Sequence, residues 1–169
     1  LFSYLEKNAY AAAFSDILDS LDYPSQVISP HCGIRPLKEN FVAIGRAVTL
    51  LNDYDGNKKD PYEMVIKCID SMLPDSILIS TGTDRLVTGI MGELTATALS
   101  VRKCRGAIIN GYTRDVRKIL KMEFPTFAWG SSPIDTTGRV RVVDYNIPIT
   151  IGGVKINSGD LVFADLDGI

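Results

Sequence analysis

The stretch GELTATALSVRKCRGAIINGYTRD, residues 92–115, decides how this chain folds. A helix is predicted over 93–104 because apolar side chains recur near helical spacing, at Leu94, Ala98, Leu99 and Val101. Arg105-Gly106 then makes a turn, and the apolar run 107–110 predicts a strand that covers most of the same length in reverse. The two ends of the stretch should therefore meet at one edge of a sheet.

Polar groups lie at both ends of this stretch, and Gly89 and Gly92 mark the turn into its helix. The first end supplies the backbone amides of a helix N-terminus, which attract an anion. These amides belong to Gly92, Glu93, Leu94 and Thr95. At the other end, Arg114 can grip a carboxylate and Asp115 can hold a hard cation. Because ligands bind at the carboxyl ends of strands in open α/β sheets, we predict a ligand site here.

Structural roles for the same residues stay open at this point. Asp115 could cap the helix that follows it, and Glu93 could be an ordinary first-turn acid favoured by the helix dipole. His31, the only histidine, is a weaker alternative as a catalytic or phosphocarrier residue. We do not expect it to pair with Cys32, because adjacent residues of an extended segment point in opposite directions.

The middle of the chain alternates strands and helices. Apolar and β-branched runs predict strands at 41–51 and 76–80, with a polar loop at 52–59. Asp60-Pro61 looks like an N-cap with proline in the first helical position, which opens a helix through Met72. A last helix is expected at 115–122. Right-handed crossovers would place these strands in one parallel sheet.

The two flanks of the chain read differently. An Ala-rich amphipathic pattern predicts a helix over 8–21, ahead of Pro24. After Pro125, short β runs separated by Gly, Pro and Asp-Gly turns are typical of antiparallel hairpins. We therefore predict an α/β fold, a single domain over residues 1–169 whose parallel core is extended by a second β layer.

Composition bounds the function. The net charge of −2 and the scattered basic residues argue against nucleic acid as a partner. We expect the basic side chains to lie on solvated faces, at Arg102, Lys103, Arg105, Arg117 and Lys118. No apolar run is long enough for a membrane span. Three cysteines without metal-ligand spacing predict reduced core residues in a cytoplasmic protein, at Cys32, Cys68 and Cys104.

The order of an acidic residue, a spacer and then Arg-Asp, at Glu93 and Arg114-Asp115, resembles the signature of the RraA-like family. That family contains 4-hydroxy-4-methyl-2-oxoglutarate aldolases and the protein regulator of ribonuclease E activity. The likeness extends over most of the chain, through segments 33–37, 45–49, 124–130, 154–160 and 164–168. The resemblance implies a three-layer β/β/α swivelling-type fold, assembled as a homotrimer or as a hexamer formed by two trimers.

The resemblance also implies an activity. It is that of a class II lyase, which cleaves 4-hydroxy-2-oxo diacids to pyruvate, or decarboxylates oxaloacetate, through a metal-stabilised enolate. Asp115 would be the one direct protein ligand of Mg²⁺ or Mn²⁺. Arg114 would bind the substrate, and the amides from Gly92 to Thr95 would hold its carboxylate. Glu93 stands where the aldolases usually carry Asp, next to the water that is the expected base.

Two points keep the activity open. In the family, an acidic residue from the C-terminal helix of a neighbouring subunit also serves the site, and we identify no such helix before Ile169. The sequence therefore supports metal binding and decarboxylation more strongly than aldol cleavage. The alternative function is a non-catalytic protein that inhibits a ribonuclease through its trimer surface.

Overall fold

The computed structural model describes residues 1–57, 59–82 and 87–169. The helices in this part are α1 (Phe2–Asn8), α2 (Ala11–Ser20), α3 (Glu63–Ser71), α4 (Glu93–Val101) and α5 (Val116–Lys121). The strands are β1 (Arg35–Pro36), β2 (Ala43–Tyr54), β3 (Ser76–Gly82), β4 (Gly89–Met91), β5 (Gly106–Ile109), β6 (Tyr112–Thr113), β7 (Thr126–Ala128), β8 (Gly130–Ser131), β9 (Val140–Tyr145), β10 (Ile149–Ile151), β11 (Val154–Ile156) and β12 (Leu161–Ala164).

A parallel sheet forms the centre of the molecule. Strands β2, β3, β5 and β7 pair in parallel, and β1 and β12 close the two edges in antiparallel fashion. The first half of β2 pairs with β12, while its second half pairs with β9. The first six residues of β3 are buried, as expected for a strand covered on both faces. The predicted α/β fold with a parallel core is confirmed.

The sheet lies between a helical layer and a second β layer. On one face, a core forms between the sheet and the three central helices, with Leu50, Cys68, Leu99, Ile109 and Ile119 among its members. On the other face, the β10–β11 hairpin packs onto the sheet, with Ile77, Ile108, Phe127, Ile149 and Ile151 among the buried residues. Burial of apolar side chains on both faces holds the three layers together.

A second, small parallel sheet was not predicted. It has the order β4-β6-β8, and β6 and β8 follow closely in the chain after the main-sheet strands β5 and β7. Its strands are two or three residues long, which is too short for a periodic pattern to show in the sequence. This small sheet carries the residues that form the candidate site.

The prediction of antiparallel hairpins directly after Pro125 was wrong for the first two strands. β7 pairs in parallel with β5, and β8 pairs in parallel with β6. All three residues of β7 are buried, so this segment is an inner strand of the main sheet. The other neighbour of β7 is the edge strand β1, which pairs with it in antiparallel fashion, and among the strands that follow β8 antiparallel pairing begins with β9.

Two helix predictions need correction. Asp60 has a φ of +47°, whereas an N-cap residue adopts an extended backbone, and α3 begins at Glu63. In α4, Leu94 and Val101 are 84% and 77% exposed, and the buried positions are Ala96 and Leu99. The helix also ends at Val101 rather than near residue 104. The apolar spacing therefore indicated the helix correctly but not the face that it buries.

The polar loop predicted at 52–59 is shorter than expected, because β2 continues to Tyr54. Residue 58 of this loop lies outside the described residues.

Arg105 is not the solvated residue that we predicted. It is 16% exposed, and its guanidinium lies 2.6 Å from Asp75 and 3.1 Å from Glu6. Because Glu6 belongs to α1, these ion pairs tie the N-terminal helix to the sheet. The helix predicted over 8–21 is the shorter α2, with α1 as a separate helix in front of it.

The three cysteines are free thiols, and Cys68 and Cys104 are buried as predicted, whereas Cys32 is only partly buried. Burial raises the pKa of Cys68 to about 12 and that of Cys104 to about 11, so both thiols stay protonated at neutral pH. Among the residues that the structure describes, no helix combines the length and the apolar character that crossing a membrane requires.

Candidate active site

The two ends of the stretch 92–115 meet, as the sequence predicted. The backbone N–H of Arg114 donates to the carbonyl of Met91 over 2.8 Å, and the hydroxyl of Thr113 donates to the same carbonyl over 2.8 Å. These bonds join the end of β6 to the end of β4. Arg114 and Asp115 therefore lie beside the N-terminus of α4, at the carboxyl edge of the small sheet.

Asp115 faces α4 and not its own helix. Its backbone is left-handed, with φ +56° and ψ +30°, and its side chain makes no capping bond to α5. Instead, Oδ2 accepts a hydrogen bond from the backbone N–H of Glu93 over 3.0 Å. The helix dipole of α4 stabilises a carboxylate at this place. Asp115 therefore occupies the N-cap position of α5 but does not cap that helix with its side chain, and Oδ1 has no hydrogen-bond partner among the described residues.

Two glycines make this close approach possible. A Cβ on Gly92 would lie 2.5 Å from Oδ2 of Asp115 and 2.9 Å from Cγ of Arg114. A Cβ on Gly89 would lie 2.7 Å from Cβ of Arg114. The sequence indicated both glycines as a turn and Gly92 also as a backbone donor, whereas the close distances show that both leave room for the Arg-Asp pair.

The sequence did not reveal the main partner of Arg114. Nη1 of Arg114 donates to Oδ1 of Asp135 over 2.6 Å, while Nε lies 3.5 Å from Oδ2 of Asp115. Asp135 lies in the segment between β8 and β9, where no local pattern marks it. Its other oxygen accepts from the backbone N–H of Thr137 over 3.2 Å, and the hydroxyl of Tyr62 lies within 3.5 Å.

Asp135 is anionic at neutral pH. Hydrogen bonding to the side chain of Thr137 lowers its pKa most, backbone amides of the same turn contribute, and the charge of Arg114 adds to the effect. Burial acts in the opposite direction but does not cancel these causes. A charged Asp135 can therefore hold one edge of the guanidinium while the remaining N–H groups stay available for a ligand.

Cavities lie on both sides of the Arg-Asp pair. The outer cavity is open, about 750 Å³ in volume, and its lining includes Glu93, Arg117, Lys118, Lys121 and Ser131. The inner cavity has a volume of about 290 Å³ and is lined mainly by aliphatic side chains between α3, α4 and the sheet. Arg114 and Asp115 line both cavities. Glu93 contacts Lys118 at 3.5 Å on the rim of the outer cavity.

A family model described as RraA-like, Aldolase/RraA, matches residues 12–169. The chain belongs to the RraA-like family. It is 29% identical to protein DlpA of Legionella pneumophila over 163 residues, which cover 96% of the chain and 26% of DlpA. The RraA-like chain thus spans about a quarter of the length of that relative.

Two further relatives agree with this assignment. A protein of Halalkalibacterium halodurans named "Putative 4-hydroxy-4-methyl-2-oxoglutarate aldolase" is 28% identical over 153 residues, which cover 90% of the RraA-like chain and 69% of the relative. The crystal structure of Streptomyces coelicolor RraAS2, described as an unusual member of the RNase ES inhibitor RraA protein family, matches with a TM-score of 0.85. It covers 99% of the chain and 82% of RraAS2 at 22% identity, which shows a shared fold.

The donor set of the RraA-like chain fits a hard divalent cation with few protein ligands. The described part of the chain contains no group of three or more His, Cys, Asp or Glu side chains placed to hold a metal ion. Asp115 offers one carboxylate oxygen at the mouth of an open cavity. Mg²⁺ commonly keeps several waters and takes one or two protein carboxylates, so this sparse set suits it. His31 lines neither cavity of the site.

Asp135 should be needed to hold Arg114 in place. Asp135→Ala removes a charge-assisted hydrogen bond, and we expect it to weaken binding of pyruvate about three- to tenfold, a modest loss because solvent screens this partly exposed pair. Asp135→Asn keeps a hydrogen-bond acceptor for Arg114, so its affinity for pyruvate should fall less. Titration calorimetry of pyruvate in the presence of Mg²⁺ measures both variants. The exposed Asp144→Ala variant is the control, and equal affinity in Asp135→Ala and this control would exclude the positioning role.

Proposed function

We propose that the RraA-like chain is a divalent-metal-dependent lyase that releases pyruvate from 4-hydroxy-2-oxo diacids of the 4-hydroxy-4-methyl-2-oxoglutarate type. Decarboxylation of oxaloacetate would be a second reaction of the same site. The observation that carries the proposal is the hydrogen bond from the Glu93 amide to Asp115. It unites the acidic end and the Arg-Asp end of the family signature around one open cavity.

The residues divide the chemistry between them. A divalent cation on Asp115, when bound, would supply a Lewis acid for the negative charge that develops on the 2-oxo oxygen. Arg114 would bind the substrate and offset its charge through the guanidinium edge that Asp135 leaves open. Exclusion of water from this site by the bound substrate would strengthen both interactions.

The helix N-terminus offers fewer amides than the sequence suggested. The Glu93 amide is already bonded to Asp115. The amides of Leu94 and Thr95 have no hydrogen-bond partner within the described ranges and lie in the first turn of α4, next to Arg114. We propose that these two hold the carboxylate of the 2-oxo acid. Arg117 and Lys121, in the outer cavity, would face the second carboxylate of a diacid.

Aldol cleavage needs a base, whereas decarboxylation does not. The proton of the 4-hydroxyl group must leave as the C3–C4 bond breaks. Glu93 is the second carboxylate in the lining of the outer cavity beside Asp115, and it would accept this proton directly or through a water molecule. The ion pair with Lys118 would hold it on that rim.

The roles of Glu93 can be separated by substitution. Glu93→Gln keeps the shape but removes the charge, and it should slow aldol cleavage by about 10²-fold or more while decarboxylation of oxaloacetate falls much less. Initial rates of both reactions measure this. If Glu93 is only a first-turn acid, both rates stay intact and stability falls by at most about 1 kcal/mol. Glu93→Asp serves as the matched control, because it keeps the charge and restores the shorter side chain of the aldolases.

A non-catalytic, protein-binding role is the second candidate. Leu94 and Val101 are strongly exposed apolar side chains on α4, and such residues can bury against a protein partner. A regulator of a ribonuclease could use such a surface in a trimer. This role predicts that the protein binds a partner while no 2-oxo acid is cleaved.

Release of pyruvate tests the proposed lyase. The purified protein is mixed with 4-hydroxy-4-methyl-2-oxoglutarate or with oxaloacetate, and pyruvate is followed by coupling to lactate dehydrogenase. We expect release with Mg²⁺ or Mn²⁺ and its loss in excess chelator, with recovery when the metal is restored. No release from either compound at any metal concentration would favour the protein-binding role.

A further inference from the structure

We infer that the inner cavity binds an apolar substituent on C4 of the substrate, so that the chain acts on 4-hydroxy-2-oxoglutarates with alkyl groups larger than methyl. The inference rests on the proposed function and names its substrate class. The observation behind it is an aliphatic chamber that opens directly beside Arg114 and Asp115.

Aliphatic side chains make up most of the lining of the chamber. Leu50, Leu78 and Ile109 of the main sheet line it, and Val65 and Ile66 of α3 line it from the helical layer. Its polar side chains are partly satisfied within the protein, since the amide of Asn52 donates to the hydroxyl of Ser80 over 2.7 Å and to the carbonyl of Thr81 over 2.9 Å. The volume of about 290 Å³ equals that of about ten waters in the liquid. An alkyl chain of several carbons therefore fits.

The chamber is continuous with the reacting groups. Arg114, Asp115 and Thr95 line it as well as serving the proposed 2-oxo acid site. C4 of the substrate carries a hydroxyl group, a carboxylate and one further substituent. The carboxylate suits Arg117 and Lys121 in the outer cavity, which leaves the substituent to enter the chamber.

The charges around the chamber reject an ionised substituent. Asp135 lines it and repels a second anion near Arg114. Arg141 also lines it, but its Nη1 lies 3.2 Å from Oδ2 of Asp55, so that its charge is already paired. Moving a carboxylate into such a chamber would remove its water without supplying a new cation. An alkyl group loses nothing by the same move and gains from burial.

The reaction needs no additional reactant. The 4-hydroxyl group loses its proton, its oxygen becomes the carbonyl of a second 2-oxo acid, and the C3–C4 bond breaks. The electron pair of that bond stays on C3, where protonation gives pyruvate. The alkyl substituent leaves on the second 2-oxo acid, which has the form R–CO–COO⁻.

Three substrates test the chamber, the 4-hydroxy-2-oxoglutarates with methyl, isobutyl or carboxymethyl on C4. Isobutyl and carboxymethyl have the same number of heavy atoms and the same branching, but they differ in charge. Since each buried methylene contributes about fourfold, we expect kcat/KM for isobutyl to exceed that for methyl by about tenfold or more. The value for carboxymethyl should fall below that for methyl. Equal values for isobutyl and carboxymethyl would overturn the inference.

Substitutions in the wall should change this preference. Val65→Phe fills the chamber, and it should lower the isobutyl-to-methyl ratio of kcat/KM about tenfold, because the longer substituent loses more room than methyl. Leu73→Phe is the matched control, because Leu73 is exposed and does not line the chamber. If Val65→Phe does not fold by circular dichroism, Val65→Ala replaces it and should raise the ratio for substituents longer than isobutyl. An unchanged ratio in a folded wall variant would contradict the inference.

A binding measurement keeps the chamber separate from the proposed function. If the wild-type protein cleaves none of the three substrates, the lyase proposal fails. The affinities of 4-methyl-2-oxopentanoate and pyruvate, measured by calorimetry with Mg²⁺, then still decide the chamber. Tighter binding of the branched acid, lost in Val65→Phe, supports it. Equal affinity of the wild type for the two acids would overturn the inference. So would a preference for the branched acid that is as large in Val65→Phe as in the wild type.

Discussion

Replacing Asp115 by asparagine should abolish pyruvate formation in a protein that still folds. Asparagine tolerates the left-handed backbone at this position and can still accept the hydrogen bond from Glu93, but it lacks the charge that holds a cation. We expect a loss of at least about 10³-fold in rate, because the Lewis acid would be missing. Initial rates with saturating Mg²⁺, together with circular dichroism, measure the effect.

The control for this variant is Asp144→Asn, which removes an exposed carboxylate elsewhere on the chain. It should keep the wild-type rate. Full activity of Asp115→Asn would remove Asp115 from the site and with it the proposed metal ligand. A variant that is inactive but also unfolded is replaced by Asp115→Gly, which fits the left-handed backbone without strain.

Arg114 should contribute the second-largest effect. Arg114→Ala removes both the substrate contact and its charge, and we expect a fall in kcat/KM on the order of 10²-fold, as for the loss of one strong electrostatic donor. Arg114→Lys keeps the charge but loses the planar fork, so that kcat/KM of this variant should fall by about tenfold. Arg46→Lys, at an exposed arginine that bonds the carbonyl of Gly159, is the control. Wild-type kinetics in both Arg114 variants would make the arginine structural.

The meeting of Glu93 with Arg114-Asp115 could be predicted from sequence because it depends on local lengths. A helix and the strand that returns along it fix where the two ends lie, and the hydrogen bond from Glu93 to Asp115 agrees with that estimate. The family signature pointed to the same residues. The chemical roles of these residues stay a prediction until the variants are measured.

Asp135 could not be found in this way. Its contact with Arg114 depends on where the segment between β8 and β9 passes, and that path is set by the small sheet β4-β6-β8. Strands of two or three residues leave no periodic pattern. The turn residues around β7 and β8 suggested hairpins, whereas β7 pairs in parallel with β5 and β8 pairs in parallel with β6. Long-range pairing decided both features.

The sequence pattern also did not predict which side chains of α4 are exposed. Leu94 and Val101 fit an apolar spacing, yet the helix buries the smaller Ala96 together with Leu99. Small residues allow α4 to approach the sheet closely, and this approach takes precedence over the burial of larger side chains. Close packing near Gly92 also sets the position of the Arg-Asp pair.

The most direct test of the metal-dependent site is a crystal structure with Mn²⁺ and oxalate, a stable mimic of the pyruvate enolate. Anomalous scattering locates Mn²⁺ without reference to activity. We predict one strong peak about 2.0–2.3 Å from a carboxylate oxygen of Asp115, with oxalate between the ion and Arg114. A peak at other residues, with Asp115 and Arg114 contacting neither ion nor oxalate, would contradict the proposed site.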